Sequence, residues 1–144
     1  MGRREVRKRL GSKEERLHLI VMMDNFNHFT VDHWKLTLEE CIKLLNLSSI
    51  DESLGLRRTI EKIPNDEIYD KVFLRLIYVS EIYFCLQIIF SVHRFPENKA
   101  TADAWVRRPN SYHLFGGRSA LEKMTSGKLG DLKMVRDYLK SQIV

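Results

Sequence analysis

Apolar side chains recur at spacings of three and four along most of this 144-residue chain, and no run alternates apolar with polar. That periodicity predicts helices throughout and no sheet. Leu17, Ile20 and Val21 mark an amphipathic helix over 14–23, which Asp24-Asn25 is expected to break. Phe26, Phe29, Val31 and Trp34 form an aromatic cluster with His28 and His33 interleaved. Five residues apart, those histidines fall on different faces of an α-helix, which predicts packing in a core or against a partner rather than a metal pair. Thr37-Leu38-Glu39-Glu40 has the form of a capping box and opens a helix over 38–47 with Cys41, Ile42, Leu44 and Leu45 inward. The Asn46-Leu47-Ser48 turn follows, and then a second helix capped by Ser48 or Ser49, which together have the cadence of a helix-turn-helix.

The longest apolar pattern runs from Glu67 to about Val92. A membrane span needs about 20 predominantly apolar residues. Arg75, Glu81 and Gln87 interrupt this run, so no membrane insertion is expected. A helix apolar on nearly every side must be covered all round. In so short a chain a second copy is an obvious cover, which predicts homodimerisation through this helix. Pro96–Lys99 then leads into a helix over 100–106 with Ala102, Trp105 and Val106 inward. Pro109 should stop it near Arg107. After Leu114-Phe115 and a Gly116-Gly117 hinge, Ser119-x-x-Glu122 is a second capping box, and Gly127 suits a left-handed helix end. Leu132, Val135, Leu139 and Ile143 give the last helix one apolar stripe.

The fold class expected is all-α. A basic arm and short helix cover 1–30, a helix-turn-helix-like region, read as a remnant, 31–66, a long central helix 67–95, and a C-terminal helical domain 96–144.

Hydrophobic (44%) and charged (30%) fractions are those of a soluble globular protein. Of the net +5, residues 1–16 carry +4, from seven basic side chains against three acidic ones. The charge therefore belongs to an arm, which is either a solvated terminus or a non-specific phosphate binder. Arg3, Arg4, Arg7, Lys8 and Arg9 of the arm, with Arg57 and Arg58, are the candidate DNA contacts. Against sequence-specific binding, Asp51 and Glu52 stand where a recognition helix needs donors. Cys41 and Cys85 lie 44 apart inside apolar patterns, which suits buried thiols in a reducing, cytoplasmic setting. No Gly-rich phosphate loop, HExxH or Cys-His array is present, so neither catalytic residues nor a cofactor nor a metal is expected.

The order Trp105, Pro109, Asn110, Leu114, Gly117, Ser119, Leu121, Glu122, Gly127, closed by an amphipathic helix, resembles the toxin-binding domain of the Xre/MbcA/ParS-type antitoxins. The resemblance covers 103–144 and departs at Ala120, usually Pro, and at Met124, usually Leu. It makes 96–144 a toxin-binding domain. It implies an antitoxin of a type II toxin–antitoxin system, whose partner is a RES-type, NAD-consuming toxin neutralised by binding and occluding the active site. A helix-turn-helix often precedes the domain in this family, so the alternative is a DNA-binding regulator that represses its own operon. Candidate toxin contacts are Arg107, Arg108 and Arg118 at the turns and Lys133, Arg136 and Lys140 on the last helix, while Trp105 and Asn110 are expected to be structural.

Overall fold

A computed structural model describes residues 13–47, 55–64, 67 and 69–143. Among them are seven α-helices and no strand. They are α1 (Lys13–Asn27), α2 (Leu38–Leu44), α3 (Gly55–Glu61), α4 (Leu74–Ile89), α5 (Lys99–Ala104), α6 (Ala120–Met124) and α7 (Leu129–Ser141). Single π-helical segments extend α1 (His28–His33) and precede α4 (Tyr69–Phe73), and short 3₁₀ turns flank α5. The fold is all-α, as the periodicity requires.

Two local expectations are corrected. Asp24-Asn25 does not break α1, which runs through both to Asn27. Leu19, Met23, Phe26 and Phe29 are all buried, so the apolar stripe crosses that dipeptide without interruption. The helix penalty of Asp and Asn, below about 1 kcal/mol each, is small beside burial of two Phe side chains at about 1.5–3 kcal/mol each. The final stripe also ends one position early: Leu132, Val135 and Leu139 are buried, but Ile143 is 40% exposed.

The central apolar run is the core helix. Leu76, Val79, Ile82 and Leu86 of α4 are buried, with α7 packed along one side and α1 along another. Lys71–Ile89 is long and apolar enough to cross a bilayer by composition alone, and the rest of this chain covers the side that carries its buried residues. Its most outward apolar side chains are Phe84 (53% exposed) and Ile88 (51%), one turn apart.

Buried at the heart of this packing is a cation, Arg75, 6% exposed. Its guanidinium donates to the Leu44 carbonyl at the end of α2 (3.4 Å) and to the Gly127 carbonyl between α6 and α7 (2.9 Å). Gly127 has φ +88° and lies against Asn46, itself at φ +53°. A left-handed turn after α2 and another before α7 therefore meet over one arginine on α4. That junction ties the two ends of the chain together.

The Thr37 capping box forms in full: Glu40 N donates to Thr37 Oγ1 (3.1 Å) and Thr37 N donates to Glu40 (2.9 Å). Ser119 caps α6 by accepting from Glu122 N (3.2 Å). The Glu122 carboxylate lies toward Arg118 Nε instead, at 4.0 Å. Ser48, Ser49, Asp51 and Glu52, on which the helix-turn-helix reading rests, lie outside the described residues, as do Arg3, Arg4, Arg7, Lys8 and Arg9.

Candidate functional site

Trp105–Arg107 is a 3₁₀ turn that ends before Pro109, and Arg108 is already extended (φ −74°, ψ 132°). From there the chain forms a loop closed on itself. Pro109 and Ser119 pair as an isolated antiparallel bridge. Asn110 N donates to the Arg118 carbonyl (3.0 Å), and Gly117 N donates to the Asn110 carbonyl (3.0 Å). The Asn110 side chain accepts from Tyr112 N (2.9 Å), the Asx turn that this residue type favours. Reversal of direction needs left-handed backbone at Gly116 (φ +58°) and Gly117 (φ +83°), where a side chain is strained.

Inside the loop, Phe115 is the plug. It is buried and meets the Trp105 and Tyr138 rings edge-on, at centroid distances of 6.1 and 5.3 Å. Tyr112, Trp105 and Tyr138 complete an aromatic stack that fixes the loop on α7. Leu121 and Met124 bury α6 beneath it, and Ala120 fills the position at which a proline would merely preset φ. Trp105 and Asn110 are structural, and half-buried Leu114 packs against the core. Outward, the loop offers Tyr112 (42% exposed), His113 and Arg118, with Arg108 at its base. An open cleft of about 370 Å³ lies beside it, lined by His113, Gly116, Arg118, Lys123 and Asp131 among others.

The six basic candidates divide sharply. Arg107 holds Glu40 through two nitrogens (2.8 and 3.2 Å) and donates to the Lys35 carbonyl (3.0 Å), bracing the loop's entrance against α2. The Arg107 hydrogen bond holds the Glu40 carboxyl below the usual carboxylate range. Arg136 is turned inward, its side chain 14% exposed; it donates to Glu81 of α4 (2.9 Å) and to Asp137 (2.7 Å). The same guanidinium lies 4.6 Å from the centre of the Tyr78 ring, a cation–π contact. Lys140 reaches Glu81 as well (2.9 Å), and Lys133 pairs with Asp137 (3.0 Å). Burial pushes the Glu81 carboxyl up, but the hydrogen bonds from Lys140 and Arg136 outweigh it and the net shift is downward. Much of the apparent basic face of α7 is therefore a brace between α7 and α4. Arg108 and Arg118 remain solvent-facing, the latter 77% exposed.

Several contributors carried no sequence signal. Tyr138 reads as one more helix residue, Glu81 and Asn46 acquire these partners only through the fold, and Glu40, legible as a capping residue, meets Arg107 only there. Cys41 and Cys85 are buried free thiols whose pKa burial raises, the opposite of an activated nucleophile. Arg57 pairs with Glu61 (3.3 Å) and lies 3.9 Å from Asp24, while Arg58 is exposed.

One further geometry departs from expectation. On the π-helical extension of α1, His28 and His33 do meet, with 3.0 Å between their Nε2 atoms. The i→i+5 repeat of a π-helix brings together residues that an α-helix would separate.

A self-closed loop, a short capped helix and a final amphipathic helix, joined by one aromatic cluster, make up this part of the chain. Residues 86–142 match the family model described as "Antitoxin Xre/MbcA/ParS C-terminal toxin-binding domain". The chain belongs to this antitoxin family, and its partner class is accordingly a toxin. It is also similar to the uncharacterized protein y4oB of Sinorhizobium fredii (strain NBRC 101917 / NGR234), 32% identical over 111 residues, which are 77% of this chain and 76% of that protein. No solved structure matches the chain.

Proposed function

We propose that this antitoxin neutralises a RES-type, NAD-consuming toxin by seating the face at 108–118 in the toxin's active cleft. The observation that carries this reading is one loop, closed by its own hydrogen bonds, that carries outward Arg108 and Arg118 beside the exposed Tyr112 ring. A preorganised loop loses little conformational entropy on docking. Tyr and Arg are also the residue types that most often anchor interfaces. The two arginines would pair with acidic groups lining a pocket built for a dinucleotide. A RES-type toxin encoded beside this chain would provide the test. One equivalent of antitoxin should bring its NAD consumption to background, and saturating NAD should weaken the complex. A complex that still turns over NAD, or whose affinity ignores NAD, would contradict occlusion.

The reading extends to a cytoplasmic homodimer paired through the Phe84 and Ile88 strip of α4. Light scattering should give twice the 17.0 kDa chain mass, with Phe84→Glu returning a single chain. Wild-type protein that stays monomeric at micromolar concentration would end this part of the reading. Repression through operator DNA gains no support from the described residues, because Arg57 is engaged by carboxylates and the basic arm lies outside them.

A further inference from the structure

Outside the loop face, the most unusual side-chain chemistry lies where α1's π-helical extension meets α5. His28 and His33 point their Nε2 atoms at one another across 3.0 Å, their ring planes at 88°. Each Nδ1 faces a carboxylate: His28 Nδ1 lies 3.2 Å from Asp32, and His33 Nδ1 lies 3.3 Å from Asp103. A hydrogen bond to an ionised carboxylate requires the proton on Nδ1, and a neutral imidazole held in that tautomer presents a bare lone pair at Nε2. Two lone pairs face to face at 3.0 Å repel unless a cation lies between or beside them. The Asp103 Oδ1 atom, behind His33 on its Nδ1 side, is buried without a hydrogen-bond partner.

We propose that His28 and His33 bind a zinc-class divalent ion through their Nε2 atoms, with Asp32 and Asp103 holding the two rings. Imidazole nitrogens bind zinc at about 2.0–2.1 Å, so two of them stand about 2.9 Å apart at a right angle and about 3.3 Å apart at the tetrahedral angle, and the observed 3.0 Å falls between. A carboxylate on the far ring nitrogen is the usual outer-shell partner of a metal-binding histidine, fixing the tautomer and raising its basicity. Among the described residues no group of three or more His, Cys, Asp or Glu converges on one point. The protein therefore supplies two ligands, and water or a bound partner supplies the others. Access is from the His28 side, 56% exposed, while the side chains of His33 and Asp103 are 10% and 18% exposed. Asp103 lies two residues before Trp105, so an ion here would clamp α1 to the helix that leads into the toxin-binding loop.

Calorimetric titration of zinc chloride into the full chain without a histidine tag, at neutral pH, tests this. One ion per chain should bind with micromolar affinity and raise the unfolding temperature. His28→Gln, at an exposed position, should weaken binding at least about tenfold without altering unfolding in chelator, and Asp103→Asn should weaken it by roughly tenfold. A His93→Gln/His113→Gln double variant should bind as the wild type does. No zinc heat at millimolar concentration, or equal affinity in His28→Gln, would overturn the site.

Discussion

Arg75→Ala should destabilise the fold by about 3–5 kcal/mol, a large share of the roughly 5–15 kcal/mol that a domain of this size has in total. The estimate has two parts. Hydrogen bonds from a charged donor contribute about 1.5–3 kcal/mol, and the Gly127 carbonyl would be left without its 2.9 Å partner. The rest is packing of the arginine stem between α2, α4 and the turn before α7, which alanine empties. Arg75 is the one charged side chain in the buried set among the described residues, and burial pulls its pKa below the usual arginine value. Desolvation therefore works against it, so Arg75→Met, which keeps most of the volume and removes the charge, should cost roughly half as much. Urea unfolding of the two variants separates the contributions. Equal losses would mean that packing of the stem contributes nothing and the hydrogen bonds account for the whole effect, and a loss under about 1 kcal/mol for Ala would mean that the junction does not hold the two parts of the chain together.

What was legible in the sequence was local. The Thr37 and Ser119 caps, the Asn110 turn and the left-handed Gly127 each depend on a few neighbouring residues, and each forms where its spacing placed it. The π-helical turn was not legible, because one inserted residue shifts the register without changing composition. It is held by a tertiary contact, Phe29 stacked on Tyr83 of α4 with centroids 3.9 Å apart, and by a local one, Thr30 Oγ1 donating to the Phe26 carbonyl (2.7 Å). Measured on an α-helix, the five-residue gap between His28 and His33 separates them; on the real backbone it joins them. Charge gave the same lesson at longer range. The basic character of α7 is plain from Lys133, Arg136 and Lys140, but Glu81 lies 55 residues before Arg136 and Glu40 lies 67 before Arg107. Nothing local announces those pairs. Coverage of α4 is similar: its apolar surface demanded a partner, and no periodicity tells a neighbour in the same chain from a second copy.

Reversing Arg108 and Arg118 together to glutamate should abolish neutralisation while leaving the fold intact. Both side chains face solvent, and neither touches the core, so the change in stability should stay within about 0.5 kcal/mol. At the interface, each reversal replaces an attraction with a repulsion against an acidic pocket. A loss of about 3 kcal/mol over the pair corresponds to a complex weaker by more than about 100-fold. Arg136→Glu is the informative contrast. It strips Glu81 of a 2.9 Å hydrogen bond and sets three carboxylates, at positions 81, 136 and 137, against one another, so thermal stability should fall along with toxin affinity. The loop reading requires the two effects to separate, affinity moving alone at Arg108 and Arg118 and both moving at Arg136. If the double reversal still silences the toxin, the contact lies on another face of the molecule. If instead Arg136→Glu weakens binding with stability unchanged, the α7 face touches the toxin directly and its bonds to Glu81 are exchanged on docking.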